Sequence, residues 1–293
     1  MVIYLAQYKQ SRISNMIMKK NILKYASDLH LELEYTGLDH PKIAAIWKNN
    51  PLHNQSLALI GDIGNPFCDK FGEFIKRCSY NHDRVFFVPG NHEYWNLIGQ
   101  PIRTVSETRH KMAQICDKYP NVNLLDNNSY QLNQVKIIGS TLWSHTSAKN
   151  RSKISEKIGN YSKIINENGL PITTHDTDNW NRDAVNYIKS QVIGLKRDYH
   201  YPCIVLTHYA PIYCEPTSKH YTSDPKYYGK WHYEAYHNNL KHLVKSPIVA
   251  WLYGHTHYCS TFSIDGVIVS ANQLGHKIDP NFNPGAYIDL DQF

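Results

Sequence analysis

Short apolar runs rich in Val, Ile and Leu recur along this chain of 293 residues, and they limit its fold more than any other feature. The runs occupy residues 22–27, 57–60, 85–88, 135–138, 204–206 and 248–252. Each has the length of one buried strand. Segments with helical spacing lie between several of them, at residues 71–78, 102–119, 183–195 and 234–244. The alternation of strand and helix predicts an α/β fold.

Five short polar segments carry potential metal ligands, and each follows a strand-like run. In chain order they are Asp28-Leu29-His30, Gly61-Asp62, Gly90-Asn91-His92-Glu93, Thr207-His208 and Gly254-His255-Thr256-His257. In open α/β sheets, ligands collect beyond the carboxyl ends of the strands, so we expect these segments to meet there. They offer carboxylate, imidazole and amide groups without a thiolate. This set suits a pair of divalent ions better than a structural cysteine zinc site.

Potential ligands two residues apart occur in the first and the last of these segments. In extended backbone such residues point the same way, so Asp28 and His30 are expected to face one ion. His255 and His257 are expected to project together for the same reason. Asp62 lies in a glycine-flanked turn that permits close backbone approach, and its two carboxylate oxygens could bridge two cations.

Taken in order, Asp-x-His, Gly-Asp, Gly-Asn-His-Glu, a later His and Gly-His-x-His resemble the motifs of the calcineurin-like metallophosphoesterases. The resemblance spans roughly residues 20–260. It implies a four-layer α/β/β/α sandwich of two mixed sheets, with a dinuclear metal site at the carboxyl ends of strands. It also implies that the chain is an enzyme, a metal-dependent phosphoric ester hydrolase.

The resemblance gives each candidate residue a role. One divalent ion would be held by Asp28, His30, Asp62 and His257. The other would be held by Asp62, Asn91, His208 and His255. His92 would be the catalytic imidazole beside them. These ligands suit Mn, Fe, Zn or Ni, so the identity of the two ions stays open.

The implied reaction is hydrolysis of a phosphate ester by in-line attack of a metal-bridging hydroxide. Two cations about 3.5 to 4 Å apart acidify the bridging water and clamp the attacking and leaving oxygens. His92 would protonate the leaving alkoxide or, as an imidazolium, stabilise the transition state. The expected substrate is a small-molecule or nucleotide phosphodiester or monoester.

Two departures from the Ser/Thr protein phosphatases of the same superfamily count against a phosphoprotein substrate. In those relatives, Gly-Asp continues into a second Asp and an Arg, and the first motif ends in His-Gly. Here Asn65 stands in place of the second Asp, and Leu31 follows His30. The missing Asp orients the catalytic His in those relatives. We therefore expect His92 to be a weaker base with a less fixed geometry, unless another carboxylate supports it.

Three further alternatives rank lower. A nuclease would need a continuous basic track, whereas the lysines are dispersed and the net charge is only +6. A scaffold that has lost its chemistry would lack several ligands, and this chain keeps every position. A membrane protein would need an apolar stretch of ~20 residues. We expect a soluble protein with a small phosphorylated substrate and no obligate protein partner.

Length predicts a single large domain, residues 18–293, with an appendage before it. Residues 1–17 have no strong amphipathic period, so we expect a loosely ordered extension. Two long polar stretches, at about 144–180 and 211–231, interrupt the rhythm of strands and helices. Long loops of this kind are commonly functional lids, and the second leaves directly from His208. Its tyrosines would either stack on a nucleobase or anchor the lid to the body.

The cysteines point to an intracellular, cytoplasmic protein with reduced thiols. They show no C-x-x-C spacing, and the chain has no secretory apolar region. The six are Cys68, Cys78, Cys116, Cys203, Cys214 and Cys259.

Several histidines and aromatic residues outside the five segments have uncertain roles. Eight histidines in polar or helical contexts are expected to be solvated surface groups: His40, His53, His82, His110, His200, His220, His237 and His242. Trp143 and His145 follow a predicted strand and would either line the substrate pocket or pack in the core. Tyr209, directly after His208, has the better position for the pocket.

Overall fold

The computed structural model of the protein describes residues 19–34, 36–48, 50, 53–198, 201–213 and 220–293. The predicted extension at residues 1–17 lies outside the described residues, as do Cys214 and His200.

Strands of the described chain form two sheets. They are β1 (Lys20–Ala26), β2 (His53–Ile60), β3 (Arg84–Val88), β4 (Val122–Leu124), β5 (Asn128–Leu132), β6 (Val135–Ser140), β7 (Cys203–Thr207), β8 (Ile248–Tyr253), β9 (Ser260–Ile264), β10 (Val267–Ala271) and β11 (Tyr287–Asp289). The first sheet has the order β11-β1-β2-β3-β4, and the second has the order β5-β6-β7-β8-β10-β9. The inner strands of each sheet are parallel, while β11, β5 and β9 pair antiparallel at the edges. Both sheets are therefore mixed, as predicted.

Helices connect these strands. They are α1 (Pro41–Ala44), α2 (Asp69–Asn81), α3 (Val105–Cys116), α4 (Arg151–Lys157), α5 (Asn160–Lys163) and α6 (Thr174–Asp198). Three of the four predicted helical segments fall on α2, α3 and α6. A capping box between Thr104 and Glu107 begins α3. Helix α6 begins earlier than predicted because Thr173 and Asp176 exchange hydrogen bonds at its start.

The fourth predicted helix, at residues 234–244, is wrong. The chain there forms two short 3-10 helices, Tyr233–Ala235 and Lys241–Leu243. Between them the backbone N–H of Asn238 donates to the carbonyl of Ala210, and that of Leu240 donates to Pro211. These bonds to a neighbouring segment replace the helical i to i−4 bonds, so tertiary contacts override the local pattern.

Three hydrophobic layers hold the sheets and helices together. The layer between the two sheets includes Leu23, Ile60, Ile137, Leu206 and Leu252. The layer outside the first sheet packs α2 and α3 against it and includes Leu59, Phe71, Phe74, Phe87 and Met112. The layer outside the second sheet packs α6 against it and includes Ala184, Ile188, Val205, Trp251 and Val269. Neighbouring strand residues such as Val205 and Leu206 face opposite layers. The predicted α/β/β/α sandwich is confirmed.

The two polar stretches differ in regularity. The first contains α4, α5 and the start of α6, so it is more helical than its composition indicates. The second contains a 3-10 helix at Pro225–Tyr227, and residues 214–219 of it lie outside the described part. Across the described ranges, no helix combines the length and the apolar character needed to cross a membrane. The five cysteines that the structure describes are free thiols.

Two histidines that were expected at the surface are buried. The exposed fraction is 6% for His82 and 1% for His237. The Nδ1–H of each ring donates to a backbone carbonyl four residues earlier, Cys78 for His82 and Tyr233 for His237. Burial lowers the pKa of both rings to about 4, so each is buried in its neutral form. The polar sequence context of these residues gives no sign of this.

Candidate metal centre

The five polar segments meet at the carboxyl ends of parallel strands from both sheets. Asp28, Asp62 and Asn91 follow β1, β2 and β3 of the first sheet. His208 and His255 follow β7 and β8 of the second sheet. The sandwich thus brings residues that are far apart in sequence to one edge, as expected for ligands of an α/β fold.

Carboxylates and imidazoles gather there in two clusters. The first consists of Asp28, His30, Asp62 and His257. The second consists of Asp62, His208 and His255. Within each cluster, one donor atom from every residue lies within 4.8 Å of the others. Asn91 joins the second cluster, because its Oδ1 is 3.1 Å from His208 Nε2. The seven residues have the grouping expected of two ion sites, with Asp62 in both, and their role as ligands stays a prediction.

The backbone at these residues is not extended, although the argument from their spacing assumed that it is. Five of the seven have left-handed φ angles: 55° at Asp28, 48° at His30, 52° at Asp62, 70° at His255 and 49° at His257. Asp28 and His30 face one cluster because the chain turns sharply at each of them, and not because it continues as a strand. His255 and His257 face different clusters, since His257 belongs to the first and His255 to the second. Left-handed backbone is unfavourable for residues with a side chain, and it concentrates at functional sites.

Hydrogen bonds between neighbouring turns hold this backbone in place. The N–H of Asp28 donates to the carbonyl of Gly61, and that of His30 donates to the carbonyl of Asp62. The buried carboxylate of Glu93 accepts four backbone N–H groups, from Asp62, Ile63, Gly64 and Gly90, at 2.6 to 3.2 Å. Glu93 therefore joins the turns after β2 and β3.

Two glycines give the clusters the room they need. Gly61 has a φ of +78°, and a Cβ there would collide with the His208 ring. A Cβ at Gly90 would collide with Asp62 and with the same ring. No larger residue fits either position without moving a predicted ligand.

The second cluster has the donor chemistry of a cation site. His208 Nδ1 is 3.0 Å from the carbonyl oxygen of Ile60, which can only accept, so the proton lies on Nδ1. Nε2 then faces Asp62 Oδ1 at 3.3 Å and Asn91 Oδ1 at 3.1 Å. Burial alone would lower the pKa of His208, but Asp62 raises it to about 9, so a positive charge at Nε2 is favoured. A divalent ion would supply that charge in place of the proton on Nε2.

The first cluster has the same character. His30 Nδ1 lies 3.2 Å from Glu32 Oε1, and His30 Nε2 lies 3.1 Å from His257 Nε2. The His257 nitrogen is also 3.2 Å from Asp28 Oδ1. Two imidazole nitrogens and a carboxylate therefore point at one another. A carboxylate behind a ligating imidazole, as Glu32 is behind His30, is a common support of metal sites.

Asn160, from α5, fixes the orientation of Asn91. Asn91 Nδ2 donates to Asn160 Oδ1 at 3.0 Å, and Trp95 Nε1 donates to the same oxygen at 2.8 Å. The amide of Asn160 in turn donates to the Tyr209 hydroxyl. With its nitrogen engaged, Asn91 presents its oxygen to His208. Sequence reasoning missed Asn160, which lies in a polar stretch without a motif.

His92 lies beside both clusters and is held on three sides. Its backbone N–H donates to Asp62 Oδ1 at 2.8 Å. Its ring stacks on Trp95, with centroids 3.6 Å apart. Its Nδ1 is 3.6 Å from Glu32 Oε1. Glu93 does not face the ring, because its carboxylate is bonded to backbone amides.

Asn65 does not replace the missing Asp. Its side chain donates to the Trp95 carbonyl and accepts from the N–H of Phe67. Glu32, which sequence reasoning also missed, is the carboxylate that faces Nδ1 of the His92 ring, at 3.6 Å. Burial would raise the pKa of Glu32, but its contacts with His30 and His92 lower the pKa to about 2. The sequence does carry one signal for Glu32, because this carboxylate follows His30 at the same two-residue spacing that separates Asp28 from His30.

His276 is a third residue that the motifs do not reveal. Its ring centroid is 4.2 Å from that of His30 and 4.5 Å from that of His257. Burial, reinforced by the neighbouring histidines, lowers its pKa to about 4. His276 comes from the segment after β10, and it lies 19 residues beyond His257, the end of the last polar segment. It lies at the mouth of the first cluster.

A cavity of about 370 Å³ opens above the two clusters. Its floor includes Asp62, Asn91, His92, His255, His257 and His276. Its walls come from residues 157–160 and from Trp95, Ser223, Tyr227, His232, Tyr233, Tyr236 and His237. Both polar stretches thus contribute to the walls.

The other candidates for the pocket lie elsewhere. Trp143 is buried against Tyr94, Trp180 and Tyr209 and belongs to the core. His145 is exposed and pairs with Asp178. Tyr209 is buried below the cavity and packs on the His255 ring, with centroids 4.0 Å apart.

Residues 25–259 match the model of a family described as calcineurin-like phosphoesterase. An uncharacterized protein, L509, of Acanthamoeba polyphaga mimivirus is 42% identical over 277 residues, which cover 92% of this chain and 97% of that protein. Phosphopantetheinyl hydrolase from Mycobacterium tuberculosis has a similar structure, with a TM-score of 0.65 at 17% identity, covering 90% of this chain and 94% of that one. A putative 5'-nucleotidase from Staphylococcus aureus has a TM-score of 0.50 at 15% identity, covering 86% and 48%.

At these identities the two solved structures show a shared fold. The family match is more specific, because it spans most of the chain and includes all five polar segments. The chain belongs to the calcineurin-like phosphoesterase family, and it is accordingly a metal-binding hydrolase.

Proposed function

We propose that this protein hydrolyses a small phosphodiester, of a nucleotide or another small molecule, with two divalent ions at the clusters. The observation that carries the proposal is the cavity of about 370 Å³ above both clusters. That volume lies in the range of small-molecule sites. Its aromatic walls suit a compact organic group attached to the phosphate.

The metal assignment follows the two clusters. Asp28, His30, Asp62 and His257 would hold one ion, and Asp62, Asn91, His208 and His255 would hold the other. When bound, a pair of divalent ions would acidify a water and offset charge on the phosphoryl oxygens. Imidazole, carboxylate and amide ligands admit Mn, Fe, Zn or Ni.

The remaining residues orient the substrate and move a proton. His92, held between Trp95 and Glu32, would protonate the leaving oxygen or stabilise charge on it. His276, at the mouth of the first cluster, is placed to donate to a phosphoryl oxygen. Lys157, on the wall, would attract the anionic substrate.

The aromatic wall is the basis for favouring a nucleotide. Tyr227, Tyr233 and Tyr236 line the cavity together with His232. Flat rings of this kind stack on a nucleobase or pack on other apolar groups. The segments at about 144–180 and 211–231, which contribute residues 157–160, Ser223 and Tyr227 to the walls, would act as lids around the substrate.

The second candidate, a nuclease, is supported by basic side chains near the cavity. Lys157 lines it, and Lys163 lies 3.8 Å from the ring centroid of Trp95 in its wall. A polymer needs a longer basic track than these positions provide. A phosphoprotein substrate is disfavoured, because Asn65 and Leu31 stand where the Ser/Thr protein phosphatases have an Asp and a Gly. The free cysteines support a cytoplasmic location.

The proposal predicts hydrolysis of small diesters by the Mn²⁺-reconstituted protein. The assay compares a chromogenic phosphodiester, its monoester, a dinucleotide, a phosphopantetheine diester and a single-stranded oligonucleotide. The small diesters should give the highest kcat/KM. Higher kcat/KM for the oligonucleotide would favour the nuclease, and no turnover with both metal sites filled would overturn the enzyme assignment.

A variant of His92 tests the proton role in the same assay. His92→Ala should keep its metal content and lower kcat by about 10²- to 10⁴-fold, the usual contribution of general acid–base catalysis. The loss should be greater for an alkyl leaving group than for nitrophenolate, which needs no proton. His110→Ala, on the exposed face of α3, is the matched control and should behave as wild type.

A further inference from the structure

We propose that Glu32 is the residue that positions His92 for proton transfer, taking the place of the carboxylate that Asn65 lacks. This inference rests on the proposed hydrolase function. Its basis is the position of one carboxylate oxygen between two imidazoles. Glu32 Oε1 is 3.2 Å from His30 Nδ1 and 3.6 Å from His92 Nδ1.

The side chain of Glu32 is built into the site. It is only 8% exposed, so its charge is poorly screened by solvent. The turn that carries it is closed by a bond from the N–H of Leu33 to the carbonyl of His30. The N–H of Leu31 donates to the carbonyl of Ile63, which ties this turn to the one after β2. Backbone bonds on both sides therefore hold the turn from which the Glu32 carboxylate extends.

The His92 ring has limited freedom between its neighbours. Trp95 covers one face with an interplanar angle of 24°, and the His30 ring approaches edge-on with centroids 4.5 Å apart. Within that slot, Glu32 selects the ring orientation that directs Nδ1 toward itself and Nε2 away. A distance of 3.6 Å exceeds a hydrogen bond, but such contacts commonly tighten when substrate binds.

No other carboxylate is available for this role among the described neighbours of the ring. Glu93 is occupied by four backbone amides, and Asp62 accepts the backbone N–H of His92. The Oε2 atom of Glu32 has no hydrogen-bond partner within the described chain, so Oε1 and its two imidazoles are the fixed contacts of this carboxylate. A cavity of about 510 Å³ is lined by Glu32 and Trp95.

A double-mutant cycle separates positioning of His92 from support of His30. Glu32→Gln keeps an oxygen for His30, so metal content measured by elemental analysis should match wild type. It should lower kcat by about 10- to 100-fold with KM unchanged, as loss of a supporting partner does. In the His92→Ala background, the same change should alter kcat by less than about threefold, because coupled residues are not additive.

Three outcomes would overturn the inference. They are multiplicative losses in the cycle, loss of metal from Glu32→Gln, and wild-type kcat in that variant. Glu32→Asp keeps the charge with a shorter reach, and it should give an intermediate kcat if Glu32→Gln does not fold. Glu34→Gln, an exposed carboxylate two residues away, is the matched control. A wild-type protein with metal but without turnover would instead refute the proposed function.

Discussion

At the scale of single residues, the site depends on backbone that most side chains avoid. Asp28, Asp62 and His255 are each in the left-handed region. Hydrogen bonds from the neighbouring turns hold the backbone of these residues in that conformation. The sequence places these residue types at the right positions, but the reason for their spacing is the turn geometry.

Glycines beside these turns give the first prediction. Gly90→Ala should displace Asp62 and the His208 ring, since the added Cβ overlaps both. Overpacking of this kind costs about 1 to 3 kcal/mol, and metal affinity should fall as well. Gly72→Ala is the control, because it lies in α2 with open space around it and should stabilise by about 0.5 to 1 kcal/mol. Chemical denaturation of both variants would measure the change in stability, and equilibrium dialysis with Mn²⁺ would measure the change in metal affinity. Unchanged stability and affinity in Gly90→Ala would contradict the close approach.

At the scale of elements, the strands and main helices were predictable because their signals are local. Buried strands of Val, Ile and Leu and the helices α2 and α3 each show their period within a dozen residues. The segment at 234–244 has the same helical period, yet it bonds to residues 210 and 211 instead. Glu32, Asn160 and His276 were missed for a related reason. Their roles come from contacts with other segments and leave little trace in the local sequence.

The end of α2 gives a prediction for pH. His82 has a pKa of about 4 when folded, below the 6.5 expected when unfolded, because burial disfavours its charged form. Between these values the unfolded chain binds more protons, so stability falls as the pH drops from 6.5 to 4. The loss attributable to His82 should approach about 1.4 kcal/mol per pH unit.

Urea denaturation at several pH values measures this loss. His82→Asn, which can still donate to the Cys78 carbonyl, should have a shallower pH dependence than wild type. His110→Asn, at an exposed position, should parallel wild type. Equal slopes for wild type and His82→Asn would show that His82 is not held neutral in the folded protein.

At the scale of the whole molecule, the candidate metal centre draws its residues from both sheets. Asp28 and Asp62 come from the first sheet, and His208 and His255 come from the second. The hydrophobic layer between the sheets brings the carboxyl ends of these strands together, so the packing that forms the fold also forms the site. The family and the sandwich could therefore be inferred together from five short segments. The cavity above the clusters could not be inferred from the sequence, because its walls come from stretches without repeating patterns.

The central claim is that two ions share Asp62, and metal stoichiometry after reconstitution with Mn²⁺ tests it directly. Wild type should bind about two ions per chain, as a two-metal site requires. His257→Ala should lose the ion of the first cluster, and His255→Ala the ion of the second. Asp62→Asn should weaken both together, with circular dichroism confirming that each variant is folded. A folded Asp62→Asn variant that still binds both ions at wild-type affinity would contradict the account.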